Sequence, residues 1–335
     1  MTGSRYLVTA SPHLRSRDST PRIMWTVVAT LVPVLATAVA YFGPSALLVT
    51  AASLLGAVLT ERFLGKAQTL RDGSGVITGL LLGLCLPAGI PLWMAFLGGA
   101  VSIGVGKLLF GGLGQNIFNP ALLGRAFLQA AFPVALTTWP AIKDVSWWSL
   151  RGDNFALPLM SAKVDAVTTA TPLGLMKFEH VGTRVTDLAF GSTGGSLGET
   201  AAIVILICGG YLALKNYLNW RIPASIFLTV AVFAGILHLI NADRFASPQF
   251  MLLSGGLMLG AVYMATDMVT SPVTSRGAWI FGAGIGLLVV LIRVWGGLAE
   301  GVMYAILIMN ALVPFINRAT QPRVFGTVAP AQKAS

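Results

Sequence analysis

Charge is what this 335-residue chain has least of. Only 10% of its residues are Asp, Glu, Lys or Arg, against roughly 25% in an average soluble domain, which excludes an ordinary water-soluble fold. Cysteine is nearly absent too. Cys85 and Cys208 lie far apart in apolar runs, with no CxxC or Cys/His spacing. Zinc or an iron–sulfur cluster held by this chain alone is therefore not expected, and both cysteines read as small buried residues. Histidine is limited to three residues. The formal charge of +10 would point to nucleic acid in a soluble protein. Here the charges are too sparse for their total to matter more than their placement, and no nucleic-acid partner is expected. The first 23 residues carry Arg5, Arg15, Arg17 and Arg22 but lack the short apolar core and small-residue cleavage site of a signal peptide. They read as a retained cytoplasmic tail.

What the chain has instead is apolar length. Hydrophobic residues make up 55% of it and its mean hydropathy is +0.79. A hydrocarbon core of about 30 Å takes about 20 helical residues to cross. Ten membrane segments are predicted, at 24–42, 46–64, 76–86, 93–110, 119–138, 200–216, 222–240, 250–266, 278–294 and 299–315. The third is too short to cross alone before the Pro87–Pro91 stretch. The eighth runs into the polar, proline-ended Thr266–Pro272. Non-helical backbone at that depth is tolerated only where it is buried in protein or lines a cavity. The two irregular segments are each third of five, and FGGL (Phe110–Leu113) after the fourth segment is echoed by WGGL (Trp295–Leu298) after the ninth. Five helices per half makes the halves inverted, a design that pairs broken helices at a midplane site. The expected fold is an all-α polytopic membrane protein, with two inverted five-helix repeats at 24–139 and 199–317. Tails at 1–23 and 318–335 flank them.

Lys and Arg placement sets the orientation. With the N-terminus inside, the inner segments hold fourteen and the outer ones seven, five of these in one loop at 140–198. Both termini are expected in the cytoplasm and that loop outside, in the periplasm. At nearly sixty residues it is far longer than ordinary connections. It follows Trp139 and holds Trp147 and Trp148, all suited to a membrane interface, and five acids. A small folded cap is expected there.

Within the loop lies DAVTTAT (Asp165–Thr171), of the form D-x-x-[ST]-x-A-T on which a flavin transferase esterifies FMN to the last threonine. Further stretches are SPH (Ser11–His13), DGSGVITG (Asp72–Gly79), GGLGQNIFNPALLGRAF (Gly111–Phe127), GSLGE (Gly195–Glu199), MATDMVTSP (Met264–Pro272) and EGVMYA (Glu300–Ala305). Together, and in this order over nearly the whole chain, they resemble the family formed by the D-type members of Rnf electron-transport complexes and the B-type members of the sodium-pumping NADH:quinone reductases. The short N-terminal tail resembles the Rnf members more.

The resemblance implies a urea-transporter-like arrangement in a bacterial inner membrane and covalent FMN on Thr171. Asp165, Thr168 and Ala170 would stand at the recognition positions. Thr169 departs from the commoner glycine, which leaves neighbouring hydroxyls open as acceptors. It further implies non-covalent riboflavin near Asn116 and Asn119, with Arg125 beside them. Amides both donate and accept, which suits a flavin's pteridine edge. A purely structural role fits as well, with Asn119 as helix N-cap and Pro120 at the first helical position. Arg125, roughly 9 Å into that helix, either snorkels to the interface or pairs with a cofactor or acid.

Asp267, an acid at a broken helix, is a candidate for an ion path or a cap for the helix after Pro272. Glu199 and Glu300 sit at segment starts, where an acid favours the positive helix end. His238 reads as an interfacial side chain. Lys107 and Arg276 read as anchors at the inner interface.

The resemblance thus implies a membrane component of an ion-translocating ferredoxin:NAD oxidoreductase, coupled to Na⁺ or H⁺. It would work with the A, B, C, E and G components of Rnf, through which ferredoxin and NAD are reached, and be matured by an FMN transferase. No residue is assigned a catalytic or metal-binding role. Two alternatives stay open: an inverted-repeat solute channel or transporter without flavin, and a B-type component of the quinone reductase.

Overall fold

The computed structural model describes residues 18–65, 69–140, 146–158, 160, 170–191, 193–242 and 244–322. Among them every regular element is helical. In chain order these are α1 (Thr20–Phe42), α2 (Pro44–Leu64), α3 (Ser74–Leu84, preceded by a 3₁₀ turn over Thr69–Asp72), α4 (Leu92–Ile103, continued as a π-turn over Gly104–Leu108), α5 (Pro120–Ala131), α6 (Pro133–Thr137), α7 (Pro172–Gly174, continued as a π-turn over Leu175–Glu179) and α8 (Val185–Phe190). They are followed by α9 (Ala202–Leu214, preceded by a 3₁₀ turn over Leu197–Ala201), α10 (Arg221–Ile240), α11 (Pro248–Leu253), α12 (Leu257–Leu259, continued as a π-turn over Gly260–Met264), α13 (Ser275–Trp295) and α14 (Val302–Thr320).

Five of these helices, α1, α2, α10, α13 and α14, are long and apolar enough to cross a membrane. α3, α4 with its π-turn, and α9 are shorter apolar helices. Expected segments and observed helices differ in two places. The fifth segment is divided by Phe132, whose backbone leaves the helical region ahead of Pro133. The eighth is divided by Ser254–Gly256, between α11 and α12. Both breaks lie inside continuously apolar sequence, so hydropathy passes over them. The short third segment ends at Leu84, and 85–91 runs on without a helix.

Start signals explain several boundaries. Asn119 Oδ1 accepts from the N–H groups of Ala121 (3.0 Å) and Leu122 (3.3 Å), with Pro120 at the first helical position. Thr274 Oγ1 accepts from Gly277 N at 3.0 Å and opens α13, so the cap after Pro272 is Thr274 and not Asp267. α1 and α2 meet at Gly43, where φ is +66° and a Cβ would stand 2.1 Å from the carbonyl oxygen of Trp147. Only glycine fits both demands.

α2 packs closely along α4, and α10 along α13. In the second pair Gly282 and Gly286 of α13 lie against the backbone of Ile222 and Ile226 on α10. Small residues four apart let helices approach in this way where lipid offers no hydrophobic drive. One continuous apolar core includes Leu31, Phe42, Leu82, Leu122, Ile226, Leu257, Phe281 and Ile306.

The segment after α6 forms a cap stitched to the helix ends. Trp147 Nε1 donates to Val39 O at 3.1 Å, and Ser45 Oγ accepts from Arg151 N and donates to Asn154 Oδ1, each at 2.8 Å. Asn154 Nδ2 donates to Ala88 O (2.9 Å) and Ile90 O (3.0 Å). Farther along, Leu173 and Leu188 bury against Phe250, and Tyr41 donates to Phe190 O at 2.7 Å.

Candidate functional site

α5 carries polar side chains into two different cavities. At its start, Asn119, Pro120 and Ala121 face a cavity with about 820 Å³ of free space, part of it open to the exterior. One and two turns on, Arg125 and Gln129 face a second, of about 640 Å³ and likewise partly open. The helix rise of 1.5 Å per residue puts Asn119 and Gln129 about 15 Å apart along the axis.

The first cavity has apolar walls, among them Ile77, Leu81, Val262 and Tyr263, with Ser74, Thr78, Lys107, Asn116, Asn119, Thr266 and Asp267 as its polar groups. Asn119 is largely committed: its oxygen caps α5 and one N–H of its Nδ2 donates to Met264 O at 3.2 Å. Asn116 Nδ2 donates to Phe118 O at 3.2 Å, and its amide reaches the Asp267 carboxylate. Asp267 Oδ1 also accepts from Val269 N (3.2 Å), and Oδ2 from Thr270 Oγ1 (3.4 Å). Asn310 of α14, with its amide turned to pair both ends, accepts from Asn119 N at 3.1 Å and donates to Thr270 O at 3.3 Å. The NIFNP turn and the break around Asp267 are thus joined, and sequence reasoning missed Asn310. Its signal was an amide inside the apolar run of α14, where a polar group needs a partner.

On the wall of this cavity lies a fully buried ion pair. Lys107 Nζ donates to Glu61 Oε1 at 2.5 Å and to Ser74 Oγ at 2.6 Å, with Lys107 2% and Glu61 1% exposed. Ser74 in turn donates to Asp72 Oδ1. Lys107 is therefore no interface anchor. It stands in the π-turn that ends α4, and such turns collect at functional sites.

The second cavity is lined by Arg125, Gln129, Thr137, Trp139, Thr171, Glu199, Glu300 and Tyr304, with a few apolar residues. Arg125 Nη2 donates to Glu300 Oε2 at 3.2 Å. Glu300 does not cap its own helix; its other oxygen accepts from Gly256 N. Glu199 accepts from Ser196 Oγ at 2.8 Å, the S-x-x-E spacing of a helix start. Thr171 is the N-cap of α7, its Oγ1 accepting from Gly174 N at 3.1 Å. The turn it opens is pinned by Lys177, whose Nζ donates to the carbonyls of Ile292 (3.3 Å), Gly296 (2.5 Å) and Leu298 (2.8 Å) at the end of α13. Partial burial holds that ammonium below the usual lysine range.

Of the residues singled out by sequence, the structure joins Asn116, Asn119 and Asp267 in one cavity and places Arg125 with Thr171 in the other. Ala170 is exposed beside Thr171. Asp165 and Thr168 lie outside the described residues. His238 Nδ1 pairs with Phe245 O at 2.8 Å.

Comparison with known proteins adds to this geometry. The chain is 42% identical over 340 residues to the D component of the proton-translocating ferredoxin:NAD(+) oxidoreductase complex of Clostridium ljungdahlii, covering 96% of each. It is 41% identical over 327 residues to the D component of the Na(+)-translocating ferredoxin:NAD(+) oxidoreductase complex of Acetobacterium woodii, covering 95% of each. It is also 39% identical over 329 residues to the D component of the ion-translocating oxidoreductase complex of Stutzerimonas stutzeri, covering 92% of this chain and 93% of that one. A model of the NQR2, RnfD, RnfE family matches residues 7–326, and the chain belongs to that family.

Proposed function

We propose that this chain is the D-type membrane component of an ion-translocating ferredoxin:NAD oxidoreductase, carrying FMN covalently on Thr171 and riboflavin in the cavity of Asn116. One observation carries the reading: the last threonine of DAVTTAT lines a cavity in the membrane bundle that also holds Arg125, Gln129, Glu199 and Glu300. The chain around it is 41–42% identical to two proteins so named. A phosphodiester on Thr171 would sit at the positive end of the turn that Thr171 caps, and its link would keep the flavin at high local concentration. The cavity of Asn116 offers apolar walls for the ring and amide and hydroxyl groups for its polar edge, the mix usual in cofactor sites. Asn119 serves there both by shaping α5 and through the second N–H of its amide.

Electrons would pass between flavins held here and carriers in the A, B, C, E and G components, which reach ferredoxin and NAD, while Na⁺ or H⁺ crosses. The protein's part is to position each flavin and set its potential. Asp267, at a helix break beside the riboflavin cavity, belongs to the ion path. Ten segments in two inverted repeats fit the matched packing of α2 on α4 and α10 on α13. Both termini would then face the cytoplasm and the cap the outside of the inner membrane.

Peptide mass spectrometry of the chain from its native membrane tests the reading. An adduct of FMN less one water is expected on the Thr171 peptide and absent in Thr171→Ala. An unmodified chain, in cells that contain the transferase, would overturn it and favour a transporter built on the same broken helices.

A further inference from the structure

We propose that Arg125 is a positioning residue for the flavin on Thr171, receiving the oxygen-rich edge of the ring in the cavity the two residues share. The inference rests on the covalent-flavin reading above. It departs from the sequence, which groups Arg125 with Asn116 and Asn119. α5 carries Arg125 about 9 Å past Asn119 and out of that residue's cavity, onto the wall that Thr171 completes.

The guanidinium is built into the site. Arg125 is 9% exposed, its Nη2 held by Glu300. Glu300 is fixed in turn by Gly256 N. Gly255 and Gly256 make the notch for it, since a Cβ on either would stand 3.0 or 2.8 Å from Glu300 Oε1. The Cys85 thiol lies against the same guanidinium. What remains is donor capacity: Arg125 Nε is buried without an acceptor among the described residues, and of the N–H groups on its two outer nitrogens one is given to Glu300. Arginine keeps its proton at any working pH and presents its donors as a rigid fork.

Gln129 lies one turn on, on the same helix face, and lines the same cavity. A flavin ring presents two carbonyl oxygens and a ring nitrogen as acceptors, with one N–H donor between the carbonyls. Arg125 and Gln129 supply two donors and one acceptor for that edge. Trp139 and Tyr304 offer aromatic surface beside it. The two carboxylates of the cavity are already engaged, Glu300 by Arg125 and Gly256, Glu199 by Ser196.

An electron delivered to a bound flavin by the partner components would add one negative charge to the ring. No bond of the protein forms or breaks, and Arg125 keeps its proton. A fixed cation beside the ring would lower the energy of that charge. Arg125 therefore raises the potential of the flavin it orients.

The test uses the intact complex with Arg125→Gln, Arg125→Lys or Gln129→Glu. Thr171→Ala is the reference whose difference spectrum isolates this flavin in an anaerobic potentiometric titration. FMN is expected on the Thr171 peptide in all but the reference. Arg125→Gln is expected to weaken the preference for the reduced form about tenfold, about 59 mV for a one-electron couple. Arg125→Lys is expected to keep most of it, and Gln129→Glu to lower it through added negative charge on the same face. Attached flavin with an unchanged potential in Arg125→Gln overturns the inference. If that variant does not assemble, an unchanged potential in Gln129→Glu overturns it equally. Absence of FMN from the unsubstituted chain overturns the underlying reading instead, so the two failures are told apart.

Discussion

Glu61 and Lys107 show what a single pair of residues can hide from sequence. Each looks ordinary, an acid near the end of α2 and a base near the end of α4, and 46 positions separate them. No helical spacing links residues so far apart, so Lys107 reads as an interfacial anchor until the π-turn is seen to aim it inward. Removing both ions from water costs several kcal/mol each, and their attraction offsets this only with good geometry. Losing one partner strands the other. Glu61→Gln is expected to destabilise the protein by about 3–5 kcal/mol, and Glu61→Leu with Lys107→Met to restore most of that loss. Thermal unfolding of the three forms in one detergent checks the order, and a double variant no better than Glu61→Gln would refute the pairing. Thr171 is the opposite case: its motif is local and legible, while its place beside Arg125 is not, because the two come together only through the fold.

Helices were the most readable elements, since membrane crossing imposes length and composition together. The Asn119–Pro120 start is readable for the same local reason, a cap followed by a proline at the first helical position. Breaks are harder. Ser254–Gly256 and Phe132 interrupt helices without interrupting apolar character, and their signals (a Gly pair, a Pro) are shared with unbroken membrane helices. The cap is hardest of all, because long-range hydrogen bonds hold it. Asn154, 2% exposed, bonds Ser45 Oγ and the carbonyls of Ala88 and Ile90, and its own carbonyl accepts from Leu92 N. It ties the cap to the non-helical end of α3, and nothing in the local sequence marks it out. Asn154→Ala leaves buried groups unpaired at about 1–3 kcal/mol each. The amides of 146–158 are expected to exchange with solvent faster in that variant, while those of α10 and α13 stay as they were. Equal exchange in 146–158 would show that the other cap contacts suffice.

At the scale of the whole molecule, the two cavities lie on successive turns of α5, one closed by the Asp267 break and one by the cap. That arrangement has a direction only if the cap faces one side of the membrane. The expected direction comes from the sequence: fourteen Lys and Arg on the segments assigned inside, the buried Lys107 among them, against seven outside, with Lys215 on the first side and the Trp147–Trp148 pair on the second. The tryptophans are placed as interface anchors would be, in edge-on contact at 4.7 Å with Trp148 78% exposed. The prediction is therefore geometric. In a chain with Cys85→Ala and Cys208→Ala, Trp148→Cys should react with a membrane-impermeant thiol reagent in intact spheroplasts. Lys215→Cys should react only after the membrane is opened. The reverse pattern would place Thr171 and its cavity on the cytoplasmic side. Reaction of both in intact spheroplasts would rule out the five-and-five inversion itself, because an odd number of crossings separates residue 148 from residue 215 on that reading.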